Sequence, residues 1–154
     1  MGKKHKKKST IPLLPTVEKA RKYKIAPEKP KYIDKKPAFA FNYYEDRDKI
    51  WSFRCVTDCK NFHILFRNLK NMGSFTWGQI KGAHQFDAHE IPWGHMNLPE
   101  CIKKLARTPE MTDLSLFQFK AFDEKSRIIG LINYNAVFEI ICIDLNHKVY
   151  PSDG

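Results

Sequence analysis

Hydrophobic and polar positions alternate most regularly in Asp113 to Pro151, DLSLFQFKAFDEKSRIIGLINYNAVFEIICIDLNHKVYP. Two apolar or alternating runs flank Asp123-Glu124-Lys125-Ser126, and two more flank Asn133-Tyr134-Asn135. Both separators are turn-forming, and the asparagines tolerate the positive φ of a tight hairpin, so three consecutive antiparallel strands are predicted. Val137 to Ile143 is almost continuously apolar, which predicts a central strand buried on both faces.

Upstream, AFAFNYY alternates Phe39, Phe41 and Tyr43 and IWSFRCV alternates Trp51, Phe53 and Cys55, with Glu45-Asp46-Arg47-Asp48 between them. This pattern predicts an N-terminal β-hairpin over 38–56. The next stretch switches to a helical period. Thr57 or Asp58 is a candidate N-cap, Phe62, Leu65, Phe66 and Leu69 form an apolar stripe, and Gly73 is a stop after Met72. Ser74 is read as the cap of a second, shorter helix with Trp77 and Ile80 facing inward. His84 to Pro99 has no period and reads as a long loop. Pro99 then opens a third helix, PECIKKLART, with Ile102, Leu105 and Ala106 inward. The expected fold is α+β: a β-hairpin, two to three helices and a three-strand meander, with the helices packed on the sheet.

The 154 residues suit one domain, large enough to need neither disulfide nor metal for folding. Residues 1–37 read as a basic Pro/Lys-rich tail, 38–151 as the domain and 152–154 as a short end. Charge supports this division. Residues 1–36 hold 13 Lys/Arg against 3 Asp/Glu, whereas the remainder holds 14 of each. The whole excess of +10 therefore sits in the tail. There Lys3, Lys4, Lys6, Lys7, Lys8, Arg21, Lys22 and Lys24 are candidate phosphate contacts for RNA, DNA or the ribosome. A solubilising terminus is the competing account. Four unpaired-looking cysteines, no signal-like apolar run and no stretch long enough to span a membrane place the protein in the cytoplasm.

His84, His89, His95 and Cys101 are eligible zinc ligands, but their separations match no compact ligand pair, so no metal and no cofactor is expected. The imidazoles also suit general acid–base work or simple loop hydrogen bonding. Arg127 opens the middle strand of the meander; Asp144, His147 and Tyr150 end the last. The first of these is expected at the far end of that hairpin from the others, unless 144–150 turns back across the sheet. An RNA-cleaving site needs a base for the 2′-hydroxyl, a cation for the phosphorane and a proton donor for the leaving oxygen. These residue types supply all three.

Ser126-Arg127-Ile128-Ile129-Gly130, Val137-Phe138-Glu139-Ile140 and Asp144-Leu145-Asn146-His147-Lys148-Val149-Tyr150-Pro151 are similar to the Arg-Ile-x-Gly, Phe-x5-Asp-x2-His-x2-Tyr-Pro ending of phage and mobile-element proteins. Those proteins are allied to the RelE/ParE-like toxin superfamily. Met72-Gly-Ser-Phe-Thr-Trp77 and the His84 that follows are similar too. The resemblance covers about residues 58–151. It implies an endoribonuclease that cleaves mRNA, often on the ribosome, under restraint by an antitoxin protein. It further implies that Arg127 contacts phosphate, that His147 or Tyr150 is the acid–base group, and that His84 is a second candidate. A non-catalytic module binding nucleic acid or protein in a phage or defence setting is the alternative from a different class.

Overall fold

The computed structural model describes residues 31–151. It is a mixed α/β domain whose sheet contains five strands in the order β1-β5-β4-β3-β2. These are β1 (Ala38–Ala40), β2 (His89–Glu90), β3 (Ser115–Lys120), β4 (Arg127–Ile132) and β5 (Val137–Asp144). Strands β3, β4 and β5 are consecutive antiparallel neighbours at its centre, β2 is antiparallel to β3, and β1 is parallel to β5. Four α-helices accompany them among the described residues: α1 (Cys59–Met72), α2 (Trp77–Gly82), α3 (Glu100–Leu105) and α4 (Pro109–Thr112).

The apolar character of the central strands follows from cover on both faces. Phe117, Phe119, Ile128, Ile132, Phe138 and Ile140 pack with Leu65, Met72, Trp77 and Ile80 of α1 and α2. On the other face Leu116, Ile129, Leu131, Ile141 and Cys142 pack with Ile91, Leu98 and Ile102. A strand covered twice has no solvent side on which to carry polar residues. Ile141 and Cys142 share a face although adjacent in sequence. The register slips between Ile129 and Gly130, pairing Ile129 with Cys142 and Gly130 with Ile140 and leaving Ile141 as the extra residue of a β-bulge. Gly130 is required there, because a Cβ would lie 2.1 Å from the Glu139 carbonyl oxygen.

The N-terminal β-hairpin does not form. Only Ala38–Ala40 is a strand, and it pairs with β5. Residues 45–51 fold into local turns, with Glu45 accepting from the Arg47 amide and Asp48 from those of Ile50 and Trp51. The chain then touches β5 once more, where Ile143 N–H donates to the Trp51 carbonyl (2.8 Å), before a 3-10 turn at Phe53–Cys55. Aromatic alternation thus marked neither mutual pairing nor full burial: Phe39, Trp51 and Phe53 are half-buried, and Phe41 and Tyr43 are exposed. Phe39 packs edge-on against Phe119 and Phe138, while Phe41 is exposed.

The tail boundary also moves. Tyr32 is buried in the core, and the carbonyls of Ile33 and Lys35 accept from the amides of Gly78 and Trp77. In α1, Asp58 is the cap, Leu65 is buried and Phe62 and Leu69 are half-buried, but Phe66 of the predicted stripe is 63 % exposed. The cap of α2 is Thr76, not Ser74. Its hydroxyl accepts from Gln79 N–H while the Gln79 side chain accepts from Thr76 N–H. At the 133–136 turn the positive φ falls on Ala136 (66°) rather than on an asparagine; Asn133 Oδ1 instead accepts from the Asn135 and Val137 amides. The predicted loop 84–99 contributes a 3-10 turn, strand β2 and the buried anchors Phe86, Ile91 and Leu98.

Candidate functional site at one end of the sheet

Antiparallel pairing puts the start of β4 beside the end of β5, and Arg127 is the register partner of Asp144. The expectation that these ends lie apart is therefore wrong: reversal of direction at a hairpin brings the first residue of one strand opposite the last of its neighbour. The chain after Asp144 also turns back. Asp144 accepts from Asn146 N–H (3.2 Å) and Val149 N–H (2.7 Å), His147 adopts a left-handed conformation (φ 53°), and Val149 is fully buried against the sheet. A carboxylate at the strand end and an apolar anchor five residues later together fold the polar ending over the sheet face.

Arg127 is buried and held at three points. Nη1 donates to the Glu124 and Ser126 carbonyls, both at 2.9 Å, and Nη2 donates to Asp87 Oδ2 at 2.5 Å. Asp87 in turn contacts His89 Nε2 through Oδ1 at 2.7 Å and sits at φ 44°. Burial alone would raise the Asp87 pKa, but the His89 hydrogen bond and the Arg127 charge outweigh it and hold the carboxyl below its ordinary value.

Gln118 lies on β3, opposite His89 of β2. Its Nε2 donates to the Tyr150 carbonyl (3.3 Å) and faces His147 Nε2 at 3.4 Å. Burial, followed by the positive charge of Arg127, lowers the His147 pKa, with Asp144 and Asp87 opposing. The shift favours the neutral imidazole. Two buried polar atoms, Gln118 Oε1 and Arg127 Nε, have no hydrogen-bond partner among the described residues.

The predicted residues thus divide. Arg127, Asp144 and His147 converge. Tyr150 joins through its carbonyl, while its ring packs edge-on against His95 (5.1 Å) and borders a separate cavity of about 270 Å³ walled by Ile91, Trp93, Leu114 and Leu116. His84 is exposed at the start of the 3-10 turn, and its side chain makes none of the hydrogen bonds that join the cluster. Lys3, Lys4, Lys6, Lys7, Lys8, Arg21, Lys22 and Lys24 lie outside the described residues. Among the described residues no group of three or more His, Cys, Asp or Glu is placed to hold a metal ion. Likewise no helix there is long and apolar enough to cross a membrane.

Sequence reasoning missed Asp87 and Gln118. Gln118 left a signal, being the polar residue inside the strand Leu-Phe-Gln-Phe. Asp87 left none, because only the fold brings the 84–90 segment against the start of β4. No family model, no curated protein and no solved structure matches the chain.

Proposed function

We propose that the chain is an RNA-directed protein of RelE-like type, an endoribonuclease that works by internal attack of the 2′-hydroxyl. The observation that supports this is the return of 144–150 across the sheet, which brings His147 to the end where Arg127 starts β4, near enough for the guanidinium charge to act on the imidazole. A neutral histidine is ready to take a proton at physiological pH, and a nearby fixed cation favours the charge that develops on phosphorus. In this scheme His147 accepts the 2′-hydroxyl proton and the 2′-oxygen bonds to the adjacent phosphorus. The P–O5′ bond breaks and the protonated His147 returns that proton to the departing O5′, leaving a 2′,3′-cyclic phosphate and a 5′-hydroxyl. The Arg127 guanidinium is buried and its Nη groups are engaged within the protein, so in this scheme it acts on the phosphorane through its charge rather than by direct contact. The proposed partners are mRNA, the ribosome that presents it and a cognate antitoxin.

The test uses the full chain with end-labelled RNA, with and without ribosomes, in EDTA. Cyclic-phosphate products are expected, together with growth arrest on expression. His147→Ala should lower cleavage by roughly 10²- to 10⁴-fold, the range for losing a general acid–base group. Intact RNA in both settings and unimpaired growth would sink the proposal.

A second account has its own observation. Three of the guanidinium hydrogen bonds of Arg127 are already made within the protein, as expected of a structural ion pair rather than a phosphate clamp. On that account the chain is a non-catalytic binding module and the cluster fastens the sheet end. Binding of RNA or a protein partner, unaltered by His147→Ala and without any cleavage, would favour it.

A further inference from the structure

The neutral balance of residues 37–154 conceals a strong segregation of charge. From Cys59 to Phe86 the chain carries Lys60, Arg67, Lys70 and Lys81 and no Asp or Glu. Three of the four lie on α1 at positions 60, 67 and 70, with His63 between them. At 3.6 residues per turn these four share one helix face. All four are exposed, and none forms an ion pair with an acidic residue among the described residues. Phe66 stands at the margin of the same face, 63 % exposed, in a helix whose apolar face is already packed by Leu65 and Met72. The stripe from Lys60 to Lys70 is about 15 Å long at the helical rise, comparable to about four stacked nucleotide steps.

Its position relates it to the site. Asn68 Nδ2, one residue from Arg67, donates to the Ala121 carbonyl at 2.7 Å. Ala121 follows Lys120, the register partner of Arg127. The middle of α1 is therefore tied to the end of the sheet at which Arg127 starts β4.

We infer that the exposed face of α1, Lys60, His63, Phe66, Arg67 and Lys70, is a docking surface for single-stranded RNA. The cations hold the phosphates and Phe66 supplies a ring for a base to stack on. An acid-free row of cations is complementary to a polyanion, and an exposed aromatic within it suits a strand with unstacked bases better than a carboxylate-bearing protein. The inference extends the RNA-directed proposal to a second surface and rests on it for the choice of polyanion.

The experiment measures binding of a fluorescein-labelled 20-nucleotide single-stranded RNA by anisotropy across a salt series, on the full chain carrying His147→Ala so that the probe survives. Each phosphate neutralised contributes about 0.7 to the slope of log K against log salt for single strands. The triple substitution Lys60→Ala, Arg67→Ala, Lys70→Ala should lower that slope by about 2. Phe66→Ala should weaken binding by about 5- to 150-fold, the range for one stacked base, with the slope unchanged. Neutralising Lys103 and Lys104 of α3 and Arg107 just beyond it serves as the control and should have a smaller effect than the α1 triple.

Wild-type affinity and slope in the α1 triple, or an equal loss in the control, overturns the inference. Loss of binding to polyglutamate with RNA binding intact overturns it in favour of an acidic protein partner. The two proposals can fail separately. RNA cleavage by the parent chain with no effect of the α1 triple removes only the surface. Binding through α1 with no cleavage by the parent chain removes only the ribonuclease.

Discussion

Replacing Asp87 by asparagine probes the centre of the site. Asparagine keeps the side-chain shape and tolerates the left-handed backbone at φ 44°, so the change is close to a pure deletion of charge. It leaves the Arg127 guanidinium, whose side chain is only 3 % exposed, without its counter-charge. Removing one partner from a buried ion pair costs about 3 to 5 kcal/mol. Asp87 is 30 % exposed, and two carbonyls still hold Nη1, so screening and the surviving hydrogen bonds reduce the expectation to about 2 kcal/mol. Urea unfolding at pH 7 and near-physiological salt measures it.

The pH dependence gives a second check with a definite sign. The folded-state pKa of Asp87 lies below its ordinary value of 3.8, so the unfolded chain binds the proton more readily. The contribution is fully present above that ordinary value and is lost as pH falls through the lower, folded one. The penalty of Asp87→Asn should therefore be full at neutral pH and shrink toward zero in strong acid. A double-mutant cycle with Arg127→Met should return a coupling of about 1 to 3 kcal/mol, because the two side chains share a direct contact. A penalty below about 0.5 kcal/mol at pH 7, or one of equal size in strong acid, refutes the assignment of Asp87 as the counter-charge of Arg127.

Three further outcomes follow from the packing. Gly130→Ala places a methyl group against the Glu139 carbonyl and the Phe138 ring in the middle of the sheet, and thermal unfolding should register about 3 kcal/mol or more of destabilisation; a melting temperature equal to wild type would contradict the bulge geometry. Thr76→Ala removes one half of the α2 capping box and should cost about 1 kcal/mol in urea unfolding, with no further loss on adding Gln79→Ala if the two side chains act as a unit. His147 has a folded pKa below its ordinary 6.5, so protonation favours unfolding and stability declines as pH falls below 6.5. His147→Gln should flatten that decline between pH 7.5 and 5.5, and parallel curves for the two proteins would exclude the lowered pKa.

The parts legible from sequence were those fixed by neighbours in the chain. Hairpins at 123–126 and 133–136, the Asp58 cap and the buried Val137–Ile143 strand all depend on turn chemistry and local period. The parts misread depended on distant partners. AFAFNYY and IWSFRCV alternate, but alternation says neither which side chains will be buried, since Phe41 and Tyr43 are exposed, nor which strand edge the segment will meet; β5 is that edge for both. Phe66 fits the helical stripe equally well, yet the sheet lies under Leu65 and Met72 and leaves it in solvent.

The same division runs through the site. Residue types alone identified Arg127, Asp144 and His147 as chemically apt, and the chain order of an antiparallel hairpin is enough to put the first two side by side. Tertiary structure decided the rest: the return of 145–150 across the sheet, the meeting of Arg127 with Asp87 from a segment 40 residues away, and the absence of His84 from the network. Local sequence sets local hydrogen bonding and the faces that must be buried. Which buried faces meet, and which charges are thereby stranded or paired, is settled only when the whole sheet closes between its two layers of cover.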